Sequence, residues 1–251
     1  MEEILISYCT TCCNRLWQLA LTLPHNLKAL KEKEELILIN YGSTDGLTRY
    51  IESSKLCLEF IENKKLIYAE VLDVKTYHCS KAKNIAHRLG NGNFLVNLDA
   101  DNFNFEINDK IQKHKDKKCL IHFGNAGDSC GRIAIEKNGF YGIGGYDESF
   151  MPMGFQDIDL ILRACELGFG LEFFSEPINS KNLENTKEEK MINTGLINWD
   201  KCNDINAAIS DKNIKNKQFV VNKNGWGNAN LILNLKENIE LKPIIINYDL
   251  I

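Results

Sequence analysis

Gly92-Asn-Phe-Leu-Val-Asn-Leu-Asp-Ala-Asp101 is the stretch on which the fold turns. Phe94, Leu95, Val96 and Leu98 form a short apolar run, of a length that suits a buried strand rather than a helix. Gly90, Asn91 and Gly92 mark the turn before it. The run ends in Asp99 and Asp101, with Ala100 between them. Burying an ionised carboxylate without a partner is very costly, and two of them this close repel each other. They either cap a turn, where Asp is common, or share a cation. Hard oxygen ligands select Mg²⁺ or Mn²⁺. Such an ion, held by few carboxylates, completes its shell with water and substrate phosphates. The pair therefore points to a metal–diphosphate site at the carboxyl end of a sheet strand, where open α/β folds bind ligands.

Working outward, the preceding segments alternate. Residues 4–8 read as a strand. Asn14 is placed to cap a helix carrying Leu16, Leu19, Ala20 and Leu23 on one face, ended or kinked by Pro24. Residues 35–40 are a near-continuous apolar run, as a buried parallel strand requires. The polar loop 42–46 follows, and Ser43 or Asp45 is placed to cap a helix to about residue 54. Residues 66–71 form a third strand, and Ser80 caps a helix through Ala82, Ile85, Ala86 and Leu89. This order predicts an α/β fold with a mostly parallel sheet and right-handed crossovers. Polar residues after three strands would line one rim: Thr10, Thr11, Asn14 and Arg15; Asn40, Tyr41, Gly42 and Ser43; then Asp99 and Asp101.

Beyond the acidic pair the pattern is less regular. Strands are expected over 118–123 and 131–135, then a glycine-rich stretch over 139–145. A helix over 157–167 turns Leu160, Ile161 and Ala164 inward and stops at Gly168, and a strand follows over 171–174. From about residue 177 to 216, Asn, Lys and Glu dominate without a strong period, so a helical flap, a lid or a disordered stretch is expected. Late strands are expected over 218–222, 230–235 and 243–246.

Composition bounds the function. The chain has 251 residues, 44% hydrophobic and 25% charged, with a formal net charge of −4. That is an ordinary globular composition, and the acidic balance disfavours sequence-independent nucleic-acid binding. The nine cysteines are irregularly spaced, which is no secreted disulfide framework and suits a reducing cytoplasm. The start carries no signal-peptide pattern, and no apolar run approaches a membrane span. Any membrane association is expected to be peripheral, at the inner face. Cys9 and Cys12 form one C-x-x-C, without the second pair a Cys₄ zinc site needs. They read as free thiols or, less consistently with the other motifs, a redox pair.

Four segments in order carry a resemblance: Asn40-Tyr-Gly-Ser-Thr-Asp-Gly46, Ser80-Lys-Ala-Lys-Asn84, Asn97-Leu-Asp-Ala-Asp101, and Gly144-Gly-Tyr-Asp-Glu148 with Gly154-Phe-Gln-Asp-Ile-Asp159. Each is weak alone, but their order and spacing over about residues 3–174 are specific. The chain resembles GT-A glycosyltransferases of the family-2 type, with a galactosyltransferase-like carboxyl half. The resemblance implies a GT-A domain over residues 1–176 and a carboxyl-terminal extension over 177–251, packed on it as lid and late strands. It implies a nucleotide-diphosphate-sugar donor, a UDP-sugar, held by Thr10, Thr11, Arg15, Asn40, Tyr41, Gly42, Ser43, Asp99, Ala100 and Asp101. Lys83 is then a cationic partner of the nucleotide, or else a solvated helix charge. Asp99 and Asp101 become ligands of Mn²⁺ or Mg²⁺. Some relatives use a later His as a further ligand. None follows His122 here, which leaves Asn222 or Asn224 for that place. Asp157 takes the position of the catalytic base, and Gln156 replaces the usual Glu beside it. Gly144, Gly145, Phe155, Gln156 and Trp226 would contact donor or acceptor sugar, and Asp159 is structural or acceptor-binding. The acceptor would be a glycan or a lipid-linked or protein-linked glycoconjugate in surface polysaccharide assembly. Two other classes stay open on sequence: a sugar-1-phosphate nucleotidyltransferase, whose Gly-rich first loop with Lys is missing after Tyr8, and a non-catalytic carbohydrate-binding relative.

Overall fold

A computed structural model describes residues 5–103, 107–114, 117–123, 131–173, 182–196 and 198–245. The amino-terminal half alternates as expected: β1 (Ile6–Cys12), α1 (Leu16–Lys28), β2 (Glu34–Asn40), α2 (Leu47–Ser53), α3 (Lys55–Glu62), β3 (Leu66–Val71), α4 (Cys79–Leu89) and β4 (Phe94–Asn97). Then come α5 (Asn108–His114), β5 (Cys119–His122), β6 (Ile133–Glu136), α6 (Lys137–Gly142), α7 (Gln156–Glu166) and β7 (Gly170–Phe173). The chain continues through α8 (Lys187–Met191), α9 (Trp199–Lys215), β8 (Ala229–Leu233) and β9 (Glu237–Leu241).

The nine strands among the described residues share one sheet in the order β7-β5-β6-β4-β1-β2-β3-β8-β9. The centre, β3-β2-β1-β4, is parallel, while β6 joins β4, and β8 joins β3, antiparallel. The sheet divides two apolar layers. On one face Leu19, Leu23 and Leu27 of α1, Ile51 of α2 and Ile111 of α5 pack on Ile6, Tyr8, Leu36 and Val96. On the other face Ala82, Ile85 and Ala86 of α4, Phe140 of α6, and Leu160 and Ala164 of α7 pack on Ile37, Ile39, Leu95 and Ile135. Cys9 and Cys12 belong to opposite layers, as residues three apart on a strand must, so they cannot bridge. Every cysteine among the described residues is a free thiol. No helix among them is long and apolar enough to cross a membrane.

Several local expectations are corrected. Helix α1 runs through Pro24 to Lys28. Its amino end is capped from afar by Asp45, whose Oδ2 accepts from the Leu16 N–H at 2.7 Å, so neither Asn14 nor the chain's own cap residue does this. Asn14 instead adopts a left-handed backbone at φ 52° and braces the Ser43–Thr44 loop. Helix α4 begins one residue before Ser80 and is capped by His78. Residues 218–222 are irregular: the Phe219 carbonyl accepts from Arg163, and the Asn222 side chain donates to the Gly144 carbonyl, in place of a strand ladder. The segment expected over 243–246 contributes an isolated bridge between Ile244 and Trp226, and residue 246 lies outside the described residues. So does the expected boundary at residues 176 and 177. The glycine-rich stretch holds the short helix α6.

Candidate active site

A cavity of about 620 Å³ opens at the carboxyl ends of β1 and β4. Thr11 and Arg15 from the first strand end, Asp99 to Asp101 from β4, and Phe155 to Asp157 at the start of α7 line it. Leu183, Asn185, Lys190 and Asn193 cover it from the α8 segment. Asp101 and Asp157, fifty-six positions apart in sequence, thus share one cavity.

The acidic pair is built by the strand end. Asn97 of β4 donates from Nδ2 to Asp99 Oδ1 at 3.0 Å and to the Gly131 carbonyl at 2.7 Å. Asp101 accepts from Asn102 Nδ2 at 2.6 Å and from the Asn185 amide, and Arg15 Nη1 stands 3.8 Å away. Burial, then the charge of Asp99, pushes the Asp101 carboxyl up to about 6, against the pull of Arg15. Two neighbouring carboxylates in a shared cavity are a suitable donor set for a hard cation. No group of three or more His, Cys, Asp or Glu that could hold a metal occurs among the described residues. Water and ligand oxygens would have to fill the other positions.

On the facing wall, Phe155 holds a left-handed backbone at φ 63°, rare for an aromatic residue, at the turn that starts α7. This turn presents Asp157 to the cavity. Lys83 of α4, whose side chain is 3% exposed, places Nζ 2.7 Å from Asp157 Oδ1 and 3.8 Å from Asp99 Oδ1. It is therefore no solvated helix charge. Burial opposes the charge on Lys83, but Asp157 and Asp99 outweigh it and hold the ammonium well above its ordinary range. Gln156 Nε2 lies 3.3 Å from Asp157 Oδ2. Asp159 faces inward and pairs with Arg163 at 2.7 Å, both side chains fully buried. Arg163 in turn binds the carbonyls of Ile143 and Gly145, so this pair braces the 143–145 turn rather than the cavity.

Other expected contacts move away from the cavity. Asn40 is buried with both ends committed: Nδ2 donates to Thr48 and Tyr68, and Oδ1 accepts from the Ser43 N–H. It braces the loop and has nothing left for a base. Tyr41 is 5% exposed and meets Tyr77 edge-on, and it is Tyr77 that lines the cavity, bonded to Thr11 Oγ1 at 2.9 Å. Thr10 is buried in β1, Gly42 packs on Val74, and Ser43 bonds the Asn14 N–H. Gly145, at φ 65°, has no room for a Cβ, which would fall 2.5 Å from Asn84 Oδ1; with Gly144 it forms an interior turn. Trp226 is fully buried against Phe140 and Tyr141, so it covers no sugar. Asn222 spends its amide on the Gly144 and Tyr146 carbonyls and its oxygen on the Glu148 N–H, and Asn224 lines a different, smaller pocket.

Sequence reasoning offered a flap or lid over about 177–216 but named none of the residues by which it meets the cavity. Asn185 binds Gln18 and Asp101, Asn193 binds Asn14 and the Cys13 carbonyl, and Trp199 and Asn203 complete the wall. The signal present was Thr186 followed three residues later by Glu189, a capping box that both side chains complete. Cys13 and Cys79 also line the cavity, but burial pushes each thiol up to about 11, so neither is a nucleophile at neutral pH.

The parallel centre, the antiparallel flanks and a cavity at the strand ends define a GT-A-type α/β fold. The chain is similar in fold to S. aureus TarS 1-349 in complex with UDP, at 13% identity and a TM-score of 0.57, over 84% of this chain and 72% of that one. Against the same protein in complex with UDP-GlcNAc the TM-score is 0.58 at 12% identity, over 84% and 73%. Against the longer S. aureus TarS structure it is 0.58 at 13% identity, over 88% of this chain and 45% of that one. No family model matches the chain, and no curated protein matches it in sequence.

Proposed function

We propose that this chain is a metal-dependent, inverting glycosyltransferase. It moves a sugar from a UDP-sugar to a hydroxyl of a glycan, lipid-linked or protein-linked acceptor. The observation that carries this reading is the convergence of Asp99, Asp101 and Asp157 on one cavity at the ends of the parallel strands. The fold likeness to a protein solved with UDP and with UDP-GlcNAc supports the choice of donor.

Asp99 and Asp101 would hold Mn²⁺ or Mg²⁺, which when bound neutralises charge on the leaving diphosphate. Arg15, beside Asp101, adds a fixed cation on that wall. Asp157 accepts the proton of the attacking acceptor hydroxyl as that oxygen bonds to the anomeric carbon and the bond to the diphosphate breaks. The covering segment keeps water from competing as acceptor. One base and a single displacement give inversion, which the anomeric configuration of the product, read by NMR, checks.

The direct test is UDP release from UDP-GlcNAc with Mn²⁺, across a panel of acceptors. Asp157→Asn is expected to keep donor binding and to lose transfer by about 10²-fold or more, the usual share of a general base. Transfer at the wild-type rate in that variant would defeat the assignment.

A further inference from the structure

We infer that Lys83 is a positioning residue for Asp157, not a nucleotide contact, and that it ties this base to the donor-side Asp99. The inference rests on the function proposed above and deepens it.

Helix α4 is fixed from several sides before Lys83 leaves it. Asn84 brackets Tyr146, donating to its carbonyl at 2.9 Å and accepting from its N–H at 2.8 Å. His87 stacks on Phe140 at 4.7 Å and bonds the Lys83 carbonyl. The Lys83 side chain then runs inward, with Nζ 5.3 Å above the Tyr146 ring, and ends between Asp157 and Asp99. To reach a phosphate its buried ammonium would have to abandon a carboxylate at 2.7 Å, and breaking such a pair is strongly unfavourable.

The second oxygen of Asp157 is also held. Gln156 must turn its N–H toward Asp157 Oδ2, because its carbonyl there would repel the carboxylate. Gln156 Oε1 is left buried without a partner among the described residues. The base therefore stands between an ammonium on one oxygen and an amide on the other. A carboxylate at the start of a helix has several rotamers. A base must sit within hydrogen-bond reach of its proton, and a misplacement of about 1 Å costs about 10²-fold. The Lys83 ammonium selects one rotamer.

The test uses the full chain and three variants: Lys83→Met, Lys83→Arg and Lys83→Met with Asp157→Asn. UDP affinity with Mn²⁺ is read by calorimetry, and UDP release from UDP-GlcNAc by steady-state kinetics. For Lys83→Met the expected result is UDP binding within about 3-fold of wild type, an unchanged donor KM and a kcat lower by about 10²-fold. Lys83→Arg should recover about 10-fold of that loss. Adding Lys83→Met to Asp157→Asn should cost less than about 3-fold more, since the two act as a unit. A UDP affinity about 10-fold weaker at unchanged kcat would make Lys83 a nucleotide contact and overturn the inference. So would a folded Lys83→Arg protein with no recovery. If wild type neither binds UDP nor releases it, the proposed function fails instead. The pairing is then judged by urea midpoints: Lys83→Met should lower the midpoint in the wild-type background and not in Asp157→Asn. Equal losses in both backgrounds would overturn it.

Discussion

Gly131→Ala is the sharpest probe of the carboxylate arrangement. Gly131 borders the cavity, and its carbonyl accepts from Asn97. Its backbone is outside the left-handed region, so an alanine adopts it without strain. A methyl group there would lie 3.2 Å from Asp99 Oδ2 and 3.3 Å from Asp157 Oδ2. Comfortable non-bonded contact begins at about 3.5 Å, so each carboxylate must yield by a few tenths of an ångström. Mild overpacking costs about 1 kcal/mol. The lost freedom of glycine in the unfolded chain returns about 0.4–1 kcal/mol. The two nearly cancel, so the urea midpoint should barely move. Catalysis has no such compensation. At about 10²-fold per ångström of misplacement, small shifts of both carboxylates predict about a 10-fold fall in kcat for UDP release. Wild-type turnover in a folded Gly131→Ala protein would refute the reasoning. A collapsed midpoint would show that the fold, rather than the two carboxylates, meets the methyl.

Arg163→Met leaves Asp159 as an unpaired charge in the interior, and calorimetry should register a loss of about 3–5 kcal/mol. Trp226→Ala empties a fully buried site, costing about 3–5 kcal/mol, while the protein that remains folded should bind UDP as before. Weakened UDP binding there would place Trp226 at the ligand after all. The Asp101 carboxyl is raised to about 6, above its ordinary unfolded value of about 3.9. The native state therefore holds the extra proton, and this contribution is fully present below about pH 4 and lost as pH rises through about 6. In chelator-treated protein the urea midpoint should fall over that window, and Asp101→Asn should remove this part of the slope. A slope unchanged in Asp101→Asn would assign the effect to another group.

The parallel centre of the sheet was legible because its strands are continuous apolar runs separated by helices with one apolar face. The joined Asp99–Asp101 and Asp157 cavity was legible through ordered motifs, since each sits at an element end. Other features escaped for physical reasons. Asp45 caps a helix that precedes it by twenty-nine residues in sequence, a contact that local spacing cannot reveal. Asn40 and Trp226 carry side chains suited to ligands, but the fold spends them internally, and burial is a tertiary property. Helix α9 was legible only as one of three alternatives for 177–216, because its apolar stripe is thin, with Cys202, Asn206 and Ser210 turned inward. Asn206 holds the carbonyls of Met151, Met153 and Gly154, a task that polarity serves and hydrophobic patterning does not record.

The asparagine fastenings between residues 185–193 and 14–18 also bear on how the molecule is born. Asn14 meets Asn193 across an interval of 179 positions, and β8 seals the β3 edge later still. A ribosome can release β1 to β4 long before either closure exists. The amino-terminal layers can settle while the chamber still lacks its ceiling, and a nascent chain halted before residue 185 would display the acidic floor to solvent.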